Sequence, residues 1–214
     1  LAAISSYATG SMNLLQDAAV KDPQLAETLG SAIQRIGQQA ERAGKVIKSV
    51  HDFVRRRDQA REAVTPRALL DDVMPLVILQ ARKLGVRVVV NCPSDLPAAL
   101  CDRTMVEQVL LNLARNGMQA MADDTPHKIL TLSVRPAASN ATSRWLEFSV
   151  ADLGQGIPDG VSEKLFTPFF TTKEEGMGLG LSLCRTVVEQ HGGFLGHYPN
   201  TPRGTVFSFT LPQS

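Results

Sequence analysis

Residues 151–184 read ADLGQGIPDGVSEKLFTPFFTTKEEGMGLGLSLC, with a glycine cluster at each end. The first cluster, Asp152-Leu-Gly154-Gln-Gly156, follows an apolar-alternating run that ends at Val150. The turn therefore leaves a strand with one carboxylate at its exit. The second, Gly176-Met-Gly178-Leu-Gly180-Leu-Ser182, is followed by a helical pattern. Glycines ahead of a helix let backbone N–H groups approach an anion, and the helix dipole favours negative charge there. A carboxylate that can accept from a base amino group, and a glycine-rich helix start that can hold phosphates, together suit a nucleotide.

Two common phosphate motifs are absent. The chain has no Gly, four residues, then Gly-Lys-Ser/Thr. The second cluster also fails the dinucleotide pattern Gly-x-Gly-x-x-Gly. Its sixth position is Leu181, and Phe169-Phe170-Thr171-Thr172-Lys173 precedes it rather than a strand. A third stretch strengthens the nucleotide reading. Glu107 to Met121 places Val109, Leu110, Leu113, Gly117 and Met121 in an apolar stripe at helical spacing. Asn112 and Asn116 are one helical turn apart and share a face. Asparagine is a poor helix former, so two on one face point to a role for the carboxamides. Their oxygens suit a hard cation such as Mg²⁺, which keeps waters and bridges phosphates.

Together these stretches resemble the catalytic domain of sensor histidine kinases, most nearly the oxygen-sensing and dicarboxylate-sensing kind. The family's asparagine box matches Asn112 to Met121, its first glycine box Asp152 to Gly156, and its phenylalanine box Phe166 to Phe170. Its second glycine box matches Gly176 to Leu181, and its closing pattern Gly204 to Pro212. The order and spacing of five boxes make the resemblance specific, and it covers nearly the whole chain.

The resemblance implies ATP and Mg²⁺ as cofactors and a role for each matching residue. Asp152 is expected to bond the adenine amino group, with Gly154 and Gly156 letting the base sit close. Asn116 is the expected Mg²⁺ ligand, and Asn112 a second ligand or an orienting group. Arg115 and Lys173 are placed to reach phosphate, Lys173 from a segment that closes over the nucleotide. Gly178, Leu179 and Gly180 are expected at the phosphates, Gly176 at a lid hinge, and Thr205 beside the adenine. Phe166, Phe169 and Phe170 are expected to anchor the lid by packing. The superfamily's ATPases place a water-activating glutamate four residues before the metal-binding asparagine. Here that position is Asn112, which cannot act as a general base at neutral pH. The expected reaction is therefore phosphoryl transfer to a histidine, for relay to the receiver domain of a response regulator. The competing readings are a gyrase- or Hsp90-type ATPase and an inactive nucleotide-binding signalling module.

Composition sets the frame. The 214 residues are 43% hydrophobic and 20% charged, with net charge +1, which is globular. The near-neutral charge argues against nucleic acid or an anionic membrane surface as main partner. The longest apolar runs fall far short of a membrane span, so any membrane attachment is expected through segments outside this chain. No secretory leader is visible in the opening residues. Cys92, Cys101 and Cys184 have no metal-type spacing and read as reduced, mostly buried thiols of a cytoplasmic domain.

The first part of the chain reads differently from the rest. Leu1, Ile4, Ala8, Ser11 and Leu15 fall at alternating three- and four-residue steps, and Asp22-Pro23 interrupts them. The seam resumes from Leu25 through Leu29, Ile33, Ile36, Ala40, Ala43, Ile47 and Val50 to Val54. This predicts an antiparallel helical hairpin whose second arm is long and coiled-coil-like. Two arms cannot bury such a seam alone. Pairing two hairpins in a homodimeric four-helix bundle would bury it, and the resemblance places the dimerisation and phosphoacceptor domain here. The expected domains are 1–62 and 63–214.

After that boundary, Thr65 and Pro66 start a helix as N-cap and first residue, and Gly85 stops it. Val86–Val90, Ala98–Cys101, Ile129–Val134, Trp145–Val150, Phe194–Tyr198 and Thr205–Leu211 read as strands. Asp102 caps the asparagine helix, and Leu181–Gln190 is a last helix closed by Gly192-Gly193. The sum is α/β: a mixed sheet with helices on one face, preceded by the hairpin.

A histidine kinase needs an acceptor. His51 sits in His51-Asp52-Phe-Val-Arg-Arg56. The family's acceptor box has Pro five positions after the histidine, where this chain has Arg56, so His51 reads as a helix-surface residue. His127, His191 and His197 match no acceptor pattern. The opening Leu1-Ala-Ala3-Ile4 looks like the tail of the acceptor box, which places the acceptor histidine six residues upstream of Leu1.

Overall fold

The computed structural model describes residues 2–17, 27–40, 43–44, 61–121, 125, 127–137, 144–158, 160–172 and 178–214. The chain divides into two units, Leu1–Asp58 and Gln59–Ser214.

The first unit is helical in its described residues. Helix α1 spans Ala2–Asp17, and residues 27–40 form α2. The two meet where Ala8 and Ala40 are buried and where Gly37 brings its backbone against Ala8. A Cβ at Gly37 would stand 3.4 Å from that of Ala8. Seam positions Ile4, Leu29 and Ile36 remain exposed. The hairpin turn and the second arm beyond Gly44, with His51, lie outside the described residues.

The second unit begins before the expected boundary at 62/63, because Glu62 already pairs with Cys101. Strand β1 (Glu62–Val64) and β3 (Ala99–Cys101) form a two-stranded antiparallel sheet. Helix α3 runs Pro66–Lys83, with the Thr65 hydroxyl accepting from the Ala68 N–H. Gly85 (φ +65°) then turns the chain in the left-handed region that glycine adopts without strain. Strand β2 (Arg87–Asn91) follows. Helix α4 spans Arg103–Ala120, and the Asp102 carboxylate caps it by accepting from the Met105 N–H at 3.1 Å. Then come β4 (Ile129–Pro136), β5 (Trp145–Ala151), a single 3₁₀ turn at Ser162–Lys164, α5 (Gly180–Gln190), β6 (Leu195–Pro199) and β7 (Thr205–Pro212).

The main sheet has the order β2-β4-β5-β7-β6. Only β2 and β4 are parallel, because they are joined through α4, and the other neighbours are antiparallel. One face is the core. Leu130, Leu132 and Val134 of β4, Leu146, Phe148 and Val150 of β5, and Phe207, Phe209 and Leu211 of β7 are all buried. Register sets Phe148 opposite Phe209, and their rings stack at 5.1 Å. Helices α3, α4 and α5 cover this face with Leu69, Leu70, Leu110, Leu113, Met118 and Val188.

His191, at the C-terminal end of α5, ties that helix to the start of α4. Its Nδ1–H donates to the Val187 carbonyl at 2.7 Å, and its Nε2 accepts from the Asp102 N–H at 2.9 Å. Gly193 then passes so close to β7 that a Cβ would stand 1.9 Å from the Thr210 carbonyl oxygen. That contact is backbone on both sides and cannot yield. Gly193→Ala is therefore expected to cost about 2–3 kcal/mol by overpacking, read as a lower midpoint in chemical denaturation. An unchanged midpoint would show that the β6–β7 edge moves freely.

Candidate functional site

The carboxylate at the exit of β5 is the most constrained polar group in the fold. Asp152 is 2% exposed. Its N–H donates to the Thr205 carbonyl at 2.9 Å. Its Oδ1 accepts from the Gly154 N–H at 2.8 Å and the Thr205 N–H at 3.3 Å. The other carboxylate oxygen lies over α4 at Gly117, where a Cβ would come within 3.7 Å of Oδ2 and 3.4 Å of the Asp152 Cβ. Gly117 thus lets α4 pack onto the aspartate. Gly154 does the same for the turn, since a Cβ there would sit 2.4 Å from the Ala120 carbonyl oxygen. Gly156 takes φ +80°, which accounts for a glycine at that position.

The second grouping joins α4 to the start of α5. Asn112 and Asn116 are half-buried on α4, as their spacing predicts, and Arg115 beside them is exposed. The Asn112 Nδ2 donates to the Cys184 Sγ at 3.3 Å. Its carboxamide lies flat against Gly180, where a Cβ would meet Nδ2 at 2.7 Å, Oδ1 at 2.8 Å and Cγ at 3.1 Å. One turn of α5, Gly180 to Cys184, therefore grips one face and one end of that amide. Burial pushes the Cys184 thiol up to about 12, so it serves as a neutral partner and not as a thiolate. Helix α5 starts at Leu179 with no side-chain cap. The first N–H groups of such a helix have no partner within it, which leaves them available to an anion.

Gly178 sits at φ +67° against the phenylalanine segment. A Cβ there would stand 2.4 Å from the Phe169 carbonyl carbon and 2.5 Å from the Phe170 carbonyl oxygen. Phe169 itself takes φ +67°. The glycine at 178 is thus demanded by this backbone crossing as well as by any phosphate. Phe166 packs as expected: the Arg185 guanidinium lies 4.4 Å over its ring, and His197 lies 6.1 Å away. Phe169 departs from the packing expectation and is 68% exposed. Burial lowers the His197 pKa, and its Nε2 pairs with the Ser162 hydroxyl at 3.1 Å.

The fold thus brings Asp152, Gly154 and Thr205 together at one end of α4, and Asn112, Gly180 and Leu179 along its length. Lys173 and Gly176 lie outside the described residues. Sequence reading missed three participants. Gly117 is read there only as part of an apolar stripe and the asparagine box, Cys184 only as a buried thiol, and Asn200 and Arg203 are assigned no role at all. Asn200 and Arg203, in the turn between β6 and β7, both donate to the Asp152–Gly154 backbone.

A mixed sheet under three helices, with a buried carboxylate at a strand exit and a helix start that lacks a side-chain cap, forms an α/β sandwich. The chain belongs to the histidine kinase-, DNA gyrase B- and HSP90-like ATPase family, whose sequence model matches residues 101–214. Within that family its second unit is similar to the catalytic domains of sensor histidine kinases. It is 42% identical over 212 residues to the C4-dicarboxylate transport sensor protein DctS of Rhodobacter capsulatus, covering 99% of this chain and 31% of that protein. It is 37% identical over 214 residues to the sensor protein FixL of Bradyrhizobium diazoefficiens, covering 100% of this chain and 41% of that protein. Among solved structures it is similar to histidine kinase ThkA in complex with the response regulator TrrA. There the TM-score is 0.67 at 26% identity, covering 96% of this chain and 56% of that one. The chain thus spans well under half the length of the two curated relatives.

Proposed function

We propose that this chain is the ATP-binding and phosphoryl-transferring end of a sensor histidine kinase. The observation that carries the reading is the buried Asp152. A carboxylate sealed from water and bonded at one oxygen by two backbone N–H groups is a preset acceptor for the amino group of adenine. The nucleotide would run from there along α4 toward Asn116 and Asn112, its phosphates reaching the uncapped start of α5 at Leu179–Gly180. Arg115, exposed beside Asn116, supplies positive charge at that end, a role that Lys173 is assigned on the family resemblance alone.

The carboxamides of Asn112 and Asn116 fit Mg²⁺. They are neutral oxygen donors, and the described residues hold no cluster of three acidic or histidine ligands that would favour another metal. Bound there, Mg²⁺ would neutralise charge on the triphosphate. The chain's own contribution is placement. Asp152 fixes the base, and Asn112, held by Gly180 and Cys184, fixes one side of the phosphate end. The Pγ–O bond to ADP breaks and a P–N bond to a histidine ring nitrogen forms.

Among the described histidines, His191 spends both ring nitrogens inside the fold, His197 is paired with Ser162, and His127 is exposed but matches no acceptor pattern. We read the acceptor as a histidine upstream of Leu1, because Leu1-Ala-Ala3-Ile4 resembles the tail of the family's acceptor box. The exposed seam at Ile4, Leu29 and Ile36 supports a homodimer through the hairpin. The likeness to ThkA bound to TrrA supports a response-regulator receiver domain as the phosphoryl recipient. No helix among the described residues is long and apolar enough to cross a membrane. Three free thiols and the need for ATP support a cytoplasmic position, with any anchor elsewhere in the protein.

Two outcomes test this. With γ-labelled ATP, acid-labile label is expected on a form extended upstream of Leu1 and not on the present chain. The present chain should bind ATP yet hydrolyse it well below about 1 s⁻¹, since Asn112 stands where the superfamily's ATPases carry the water-activating glutamate. Label mapped to His51 would overturn the acceptor placement. Steady hydrolysis at or above that rate would favour the ATPase reading. Binding of ATP with no label on the extended form would leave the signalling-module reading.

A further inference from the structure

The turn between β6 and β7 runs Asn200-Thr-Pro-Arg-Gly204, with a cis bond before Pro202. It touches the aspartate loop at three places. The Asn200 Nδ2 donates to the Asp152 carbonyl at 2.8 Å. The Arg203 Nε donates to the Gly154 carbonyl at 2.9 Å. Gly204, at φ +101°, lies so close that a Cβ would stand 2.1 Å from the Asp152 carbonyl oxygen and 2.9 Å from its Oδ1. The Asn200 side chain is itself oriented, because its Oδ1 accepts from the Thr201 N–H at 2.9 Å, and the turn is closed by the Asn200 N–H on the Gly204 carbonyl at 3.0 Å.

The consequence is a fully pinned aspartate. Its N–H, its carbonyl and its Oδ1 each have a partner, and the carbonyls on both sides of Leu153 are held by side chains from a different strand connection. We propose that Asn200 and Arg203 are positioning residues for base recognition, and that they set how strictly the site rejects a 6-oxo purine. The proposal rests on the reading that Asp152 contacts the base. An amino group at C6 donates to a carboxylate. A carbonyl at C6 faces it with two acceptors and no proton between them. A loop free to retreat would relieve that clash through a water or a small shift. A loop clamped at the Asp152 and Gly154 carbonyls has no such relief, so the clash is retained as discrimination.

The test compares ATP with inosine triphosphate, which carries oxygen at C6 and is otherwise close in shape. Affinities are measured by titration for the parent chain, Asn200→Ala, Arg203→Ala, Arg203→Lys and Asp152→Asn, with thermal melts of each in the absence of nucleotide. The expected result is that both alanine variants bind ATP up to about tenfold more weakly, as the loss of one part-buried hydrogen bond allows. Their preference for ATP over inosine triphosphate should shrink by a similar factor, and Arg203→Lys should recover part of it. Arg203 is exposed, so its alanine variant keeps the test available should Asn200→Ala fail to fold. Equal weakening toward both nucleotides, or no change in either, would overturn the proposal. The Asp152→Asn arm separates the two levels. An unchanged preference there would sink the underlying reading of Asp152. A collapsed preference there, with intact preference in the turn variants, would sink only the role of Asn200 and Arg203.

Discussion

Asp152→Asn is expected to lower ATP affinity tenfold or more while leaving the domain folded. The two effects separate because the two carboxylate oxygens do different work. Oδ1 accepts from the Gly154 and Thr205 N–H groups, and an asparagine can keep its single oxygen in that position. Its amide nitrogen then replaces Oδ2, at the end that lies over α4 and that the proposed function assigns to the base. A donor would meet the donor of the adenine amino group in a water-excluded position. Such a mispairing costs on the order of 1–3 kcal/mol, and 1.4 kcal/mol is a factor of ten. Asp152→Ala should lose more, because the Gly154 and Thr205 N–H groups are then left without their acceptor in a buried place. That variant should show a lower melting temperature as well as lost binding. Calorimetric titration with ATP, beside a thermal melt, reads both quantities. Unchanged affinity in the asparagine variant would remove Asp152 from the site.

How far the sequence carried the reading depended on the range of the interactions. Thr65-Pro66 and Asp102 announced the starts of α3 and α4, because a cap is a contact between residues three apart. β4 and β5 were legible as strands from their alternation, because a half-buried strand writes its burial with a period of two. Strand β1 gave no such sign. Glu62–Val64 has three residues, and it is a strand only because Ala99–Cys101 lies beside it. That pairing also puts the boundary between the two units earlier than the end of the polar run had indicated. In the site, Asp152, Gly154, Asn112 and Gly180 were legible because they belong to spaced boxes. The hold of Asn200 and Arg203 was not legible. It consists of side-chain bonds to carbonyls 48 and 49 positions earlier in the chain, and nothing in the turn's composition distinguishes them from solvated turn residues. Phe169 shows the opposite failure. A phenylalanine reads as a packing residue, but here the chain crosses Gly178 at a left-handed backbone angle and the ring is turned outward.

Gly180→Ala should abolish most phosphoryl transfer without destabilising the domain, and its effect should pass through Asn112. Gly180 is the first residue of α5, and its φ lies outside the left-handed region, so the backbone itself accepts alanine. Alanine is the better helix former by up to about 1 kcal/mol, which predicts equal or greater stability. The new methyl would stand 2.7 Å from the Asn112 Nδ2 and 2.8 Å from its Oδ1. Those atoms end a side chain, so the carboxamide gives way. It then leaves the Cys184 sulfur and the place from which, in the proposed reading, it would face the triphosphate. Misplacement of a positioning group by about 1 Å costs on the order of a hundredfold in rate. A double-mutant cycle distinguishes this from general disturbance of the glycine box. In a kinase carrying its acceptor histidine, Gly180→Ala and Asn112→Ala should each lower transfer about a hundredfold. Combined, they should lower it little further, because the second change has no carboxamide left to displace. Losses that simply multiply would show that Gly180 acts independently of Asn112, most directly through its own N–H on phosphate.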